Sequence, residues 1–295
     1  MNHFLQTLIL GLLLGGVYAL AASGLSLVFG VMNVINVAHG ALLILSAYLT
    51  WVIWRDTGLD PIVASVVTTP IMFGLGWLIY QLTIRRIRTA PASMSVLLTF
   101  SIALVIEGLM GRIWRGVFRA VTPGYFDESV HLGSFFFPTA RLYACATAAV
   151  ILVLLWLVLT RTWTGRAIRA ASQNPLGAQL MGIDVAGVAA LAFAIGVATT
   201  GAGGSLISVL YPFFPASHYL WISRLLGIIV LGGMGSIGGA VVGALLMGAG
   251  ESLVTVYVDA RWQTAVPYVV IFVVLLLRPQ GLLGRRTRED VAVTV

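Results

Sequence analysis

Lysine is missing from this chain of 295 residues: all seventeen Lys and Arg positions are arginine. That absence removes the lysine of a P-loop and the lysine of a Schiff base, so this chain neither binds ATP through a Walker motif nor runs pyridoxal chemistry. Charge of either sign is sparse, at 9% of residues against roughly 25% in soluble domains, which excludes an ordinary water-soluble fold. The single cysteine, Cys145, lies in an apolar run, can form no internal disulfide, and is expected to pack. The apolar runs hold no Ser-His-Asp set, no paired carboxylates and no HExxH, so no enzyme and no cofactor are expected. No second histidine or acid stands at ligand spacing near His39, which argues against zinc.

What the chain has in abundance is apolar length, at 59% hydrophobic residues. At about 20 residues per crossing there is room for eight or nine spans and no separate soluble domain. The expectation is an all-α polytopic membrane protein, with residues 1–295 forming one transmembrane domain. Apolar runs place spans near 5–30, 40–54, 61–84, 93–111, 141–160, 186–209, 222–234, 237–257 and 262–277. The limb 222–234 is too short to cross alone, so it must be a broken element packed inside protein. Residues 5–30 lack a positively charged n-region and read as a retained span rather than a signal peptide.

Arginine sets the sidedness. Clusters fall at Arg85, Arg86 and Arg88, at Arg161 to Arg169, and at Arg278, Arg285, Arg286 and Arg288. Placing all three in the cytoplasm gives consistent alternation if 222–257 turns at that side, and it leaves the N-terminus outside. The net charge of +7 thus reflects cytoplasmic loops and not a nucleic-acid surface. The loop 112–140 falls outside and carries Arg112, Arg115, Arg119, Asp127 and Glu128 among aromatics, the makings of an ordered cap. Its arginines run against the positive-inside tendency. Glycines four apart, at Gly11/Gly15 and Gly235/Gly239/Gly243, allow helices to approach closely in lipid.

Several polar features interrupt this pattern. Gly233-x-Gly235-x-x-Gly238, with Asp259 about twenty residues on, formally matches a dinucleotide fingerprint. It lacks the strand–helix context and is better read as a tight turn between packed helices. Asn33, Asn36 and His39 sit beside Gly40 at the inner edge of two spans. They either line the inner end of a translocation path or cap a helix break, with His39 bonded locally. Glu107 and Glu251 are the two acids inside apolar runs, where a carboxylate is costly and points to a pathway, a gate or a structural pair. Arg112 and Arg115 are candidate partners for Glu107, and Arg224 for either acid.

The longest polar interruption is Arg161 to Asp184, RTWTGRAIRAASQNPLGAQLMGID. Asn174 suits an N-cap, Pro175 the first helical position and Gly182 a stop. The short helix between them shows Leu176, Leu180 and Met181 on one side, while Gly177 weakens it by roughly 1 kcal/mol. A basic loop that presents a small apolar-faced helix, flanked by Arg166 and Arg169, offers itself to a soluble partner.

Four blocks then carry a resemblance. The first holds Gly15 to Leu20, which reads G-x-x-Y-A-L, and Gly30 to Gly40, which ends N-x-A-H-G. Gly165 to Asp184, Gly232 to Ala244 and the closing Arg278 to Gly284 (RPQGLLG) follow in order. Together they resemble the H-type permease subunit of the high-affinity branched-chain amino-acid ABC importer over nearly the whole chain. Ala41 stands where many relatives carry an acid, and the third block lacks a proline near Gly238. The resemblance implies a multi-pass protein of the bacterial inner membrane, paired with a second permease. It also implies two cytoplasmic ATPases docking on Arg166 to Gly182, and a periplasmic or surface binding protein that delivers solute. Wider relatives carry urea, short amides, aromatic acids and sugars, and nothing in the sequence fixes the substrate. The competing class is an autonomous secondary transporter or channel, which would need no ATPase.

Overall fold

The computed structural model describes residues 2–87 and 92–284. Arg88, Arg285, Arg286 and Arg288 lie outside the described residues. The apolar runs become helices because a chain in hydrocarbon must satisfy its own backbone N–H and C=O groups. In order they are α1 (Asn2–Met32), α2 (Ala38–Thr57), α3 (Pro61–Leu82), α4 (Ala92–Trp114), α5 (Thr139–Arg161), α6 (Trp163–Gln173), α7 (Pro175–Leu180), α8 (Val185–Leu210), α9 (His218–Gly232), α10 (Ile237–Tyr257) and α11 (Val266–Leu277). Seven of the described helical segments are long and apolar enough to cross a membrane; α2 and α9 fall outside that set.

α1 and α8 form the centre. Both are mostly buried, and α1 packs on α10, α8, α5 and α9 while α8 also meets α2 and α3. Small residues make this possible. A Cβ on Gly11 would lie 2.7 Å from the Gly248 carbonyl, and one on Gly15 would lie 2.7 Å from the Ala244 carbonyl. The α1–α10 seam is therefore backbone against backbone, the close approach that glycine permits in lipid. Cys145 touches Gly16 across α5 and α1, in line with its expected packing role. A layer of hydroxyls also links the buried helices: Thr50 and Thr68 each bond Ser205 at 2.7 Å, tying α2 and α3 to α8.

The short limb is the broken element anticipated from its length. α9 begins at His218, four residues earlier than its apolar run suggested, after a 3-10 turn at Pro215–Ser217. It ends at Gly233, whose φ of 104° is open to glycine. The last carbonyls of α9 are capped from far along the chain: the amides of Leu282 and Leu283 donate to Leu231 and Gly232 at 2.8 and 2.9 Å. The span placed at 262–277 is also divided, into a 3-10 turn at Ala260–Ala265 and α11, with Pro267 in the first turn of α11.

Contacts sort the loops into two ends. Gln6 bonds the backbone of Phe136, and Arg119 pairs with Phe213, so the N-terminus, the 115–138 loop and the 211–217 segment share one end. That loop is ordered, as expected. It holds a hairpin of β1 (Ser129–Leu132) and β2 (Phe135–Pro138), turned at Gly133 with φ 63°. Tyr125 there has its phenol pKa pushed up by burial and then by the nearby Asp60 carboxylate. At the opposite end Arg85, Arg86, Arg161, Arg166, Arg169 and Arg278 face a single described acid, Asp184. The first end instead nearly balances Arg55, Arg112, Arg115, Arg119, Arg141 and Arg261 with Asp56, Asp60, Asp127, Glu128 and Asp259. This asymmetry makes the second end the inner one.

Candidate functional site

The inner end is built around α6 and α7. α7 forms as its sequence suggests: the Asn174 side chain accepts from Gly177 N at 2.9 Å, Pro175 opens the helix, and Gly182 leaves it with φ 80°. Only Ala178 of α7 turns inward. Leu176, Leu180 and Met181 are 68%, 81% and 83% exposed, with Trp163 at 71% nearby in sequence. α6 was not expected. Its inward face is Gly165, Ala167, Ile168 and Ala171, and its start is fixed by Thr162 accepting from Gly165 N. The two arginines of the segment part company. The Arg166 guanidinium lies 5.2 Å over the Trp163 ring and is exposed, whereas Arg169 folds back and donates to the Leu159 carbonyl at the end of α5. Arg169 thus holds the segment against its neighbour.

The polar trio after α1 is spread out. Asn33 is exposed and left-handed (φ 51°), capping α1. The Asn36 carbonyl accepts from His39 N at 3.2 Å, but its buried side-chain oxygen and nitrogen have no partner among the described residues. His39 is wholly buried, and its ring does not bond locally: Nε2 reaches Thr200 Oγ1 of α8 and, at 3.3 Å, the Ala21 carbonyl of α1. It links three helices.

The two acids have distant partners. Glu251 of α10 is fully buried. Its Oε1 accepts from Arg224 Nε of α9 at 2.6 Å, and its Oε2 from Tyr18 OH at 3.0 Å and from Gln263 Nε2 at 3.3 Å. Tyr18 OH also meets Tyr211 OH at 2.9 Å, and the Arg224 guanidinium stacks 4.6 Å over Trp221. Five segments therefore converge on one ion pair. Of the two acids open to Arg224, Glu251 is the one it takes. Sequence reasoning missed Tyr18, Tyr211, Trp221 and Gln263, although Tyr18 stands inside the G-x-x-Y-A-L block.

Glu107 does not pair with Arg112 or Arg115. Arg112 is five residues on, about 140° round the helix, and Arg115 lies past the end of α4 with φ 60°. Instead Glu107 Oε2 accepts from His218 Nε2 and Tyr219 OH, each at 3.0 Å. Its side chain is 23% exposed, while that of His218 is 1% exposed. It opens on a cavity of about 400 Å³ at the outer end, between α4 and the turn at Phe214–Ala216. The glycines of the supposed nucleotide fingerprint hold no ligand cradle. Gly233 and Gly235 form a turn against Gly284 and Gly30, and Gly238 is already inside α10. No group of three or more metal-ligating side chains occurs among the described residues.

An all-helical chain of membrane-crossing length, with acids held by ion-pair and hydrogen-bond networks and an apolar knob on its arginine-rich end, belongs to the class of polytopic permeases. Comparison with known proteins narrows this. Residues 7–276 match the family described as the branched-chain amino acid transport system / permease component, and the chain belongs to that family. It is thus the permease component of an ABC importer. It is 28% identical to the high-affinity branched-chain amino acid transport system permease protein LivH of Escherichia coli, over 98% of both chains. It is 27% identical to the BraD permease protein of Pseudomonas aeruginosa over 98% of both. A probable LivH of Methanocaldococcus jannaschii matches at 27% over 90% of this chain and 88% of its own length. No solved structure gives a significant match.

Proposed function

We propose that residues 1–295 form a single transmembrane permease unit that pairs with a second permease in the bacterial inner membrane and carries branched-chain amino acids inward. A periplasmic or surface binding protein supplies the solute. Two cytoplasmic ATPases seat on the α6–α7 segment and drive alternation between outward and inward access. The motion is a population shift set by partner binding, with no chemistry in this chain. The observation that carries the reading is the exposed trio Leu176, Leu180 and Met181 on the arginine-rich end. Three large apolar side chains held in water by a capped helix fit a receptor groove better than lipid or solvent. Asn174, Pro175 and Gly182 set the helix ends, and Arg166 extends the surface. Asn33, Asn36, His39 and Glu107 are the pathway or gate residues of this reading, whereas Glu251, sealed by Arg224, Tyr18 and Gln263, holds helices in place.

The test is Leu180→Asp in the assembled transporter. The ATPase should be lost on co-purification while the permease keeps its elution profile and thermal stability. Stoichiometric ATPase retained on the variant would overturn the docking assignment.

A further inference from the structure

We propose that the outer cavity beside Glu107 is a subsite for the ammonium group of a zwitterionic amino acid, with the ligand's aliphatic side chain lying along α4. The proposal rests on the substrate reading above and assigns a place where that substrate is recognised within this chain.

The cavity wall is apolar and open. Leu104, Glu107, Gly108 and Gly111 stand on one face of α4, opposite Phe214 and Pro215. A Cβ on Gly108 or Gly111 would meet nothing within 4 Å, so these glycines leave room where side chains would fill the groove. Glu107 is set about 10 Å in from the end of α4 at Trp114. A carboxylate at that depth is not left against hydrocarbon, so this face of α4 meets protein or water. Leu104 and Gly108 flank it on the same face and share that environment.

The polar inventory then selects the ligand. Both donors near the acid, His218 Nε2 and Tyr219 OH, are spent on Oε2. No donor among the described residues bonds Oε1, and Arg112 of α4 lies about 140° round the helix from Glu107. His218 Nδ1 is buried with no partner among the described residues, so the ring's one side-chain bond there is the one from Nε2 to Glu107. What remains at the cavity is a carboxylate oxygen without a donor, and no spare side-chain donor beside it among the described residues. Such a site favours a cationic donor head and disfavours a carboxylate. A primary ammonium on a short aliphatic body meets both the charge and the wall.

The test uses the assembled transporter in nanodiscs. Gly111→Cys, made in a Cys145→Ala background, places one thiol in the groove, and co-purification of its ATPase shows that the complex is intact; Gly108→Cys is a second probe. Alkylation by a maleimide is timed with L-leucine or with 4-methyl-2-oxopentanoate, the keto analogue that lacks the ammonium. At twice the half-protecting concentration, leucine should slow labelling about threefold, the keto acid should not, and Glu107→Gln should abolish the protection. Equal protection by both compounds, or none by leucine in a complex that still imports it, overturns the subsite and leaves the proposed function standing. A wild-type transporter that imports no leucine overturns the substrate reading itself.

Discussion

Glu251 and Glu107 are both carboxylates inside apolar helices, yet one is fully enclosed by partners and the other has an oxygen to spare. Glu251 is sealed by Arg224, Tyr18 and Gln263 from separate elements, and its charge is matched. Glu107 has two donors on one oxygen and a cavity beside it. The cost of an ion in the membrane is met inside the fold in the first case and left partly open in the second. The difference separates an acid that fixes helix positions from an acid available to something that passes.

The comparison is broken most severely at the buried pair. Arg224→Met leaves Glu251 buried without its cation, a change of about 3–5 kcal/mol, and should sharply lower the thermal midpoint and folded yield in detergent. Arg224→Met with Glu251→Met together should recover most of that loss, because matched apolar groups replace both ions. A double variant as unstable as the single one would show that the pair does more than satisfy itself. Glu107→Gln should leave expression and thermal midpoint unchanged while uptake falls about tenfold, the equivalent of ~1.4 kcal/mol. Unchanged uptake kinetics would move Glu107 into the structural class of Glu251. The smallest effect is expected for Tyr18→Phe, which removes one hydrogen bond to Glu251 at about 1 kcal/mol. A stability loss as large as that of Arg224→Met would mean that the tyrosine pair, not the ion pair, anchors the cluster.

Local features were the legible ones. Asn174, Pro175 and Gly182 specify α7 within a few residues, so its ends and exposed trio could be read from the chain. The acids were legible by their cost in apolar runs, and the broken limb by its length. Their partners were not. His218 and Tyr219 meet Glu107 from more than a hundred positions away, and no periodicity encodes that distance. His39 posed the same difficulty, since a local bond was the simplest expectation and Thr200 on α8 is the actual partner. α6 escaped notice for another reason: three of the four residues of its packing face are alanine or glycine, and Ile168 is the one large apolar side chain there.

The cap on α9 bears on how the molecule is made. Helices in lipid must find partners for the carbonyls of their last turn, and those of Leu231 and Gly232 receive theirs from Leu282 and Leu283. These amides leave the ribosome only after α10 and α11 have been threaded. α9 therefore waits, incompletely capped, until α11 has been made, and the RPQGLLG segment acts as a latch that closes behind it.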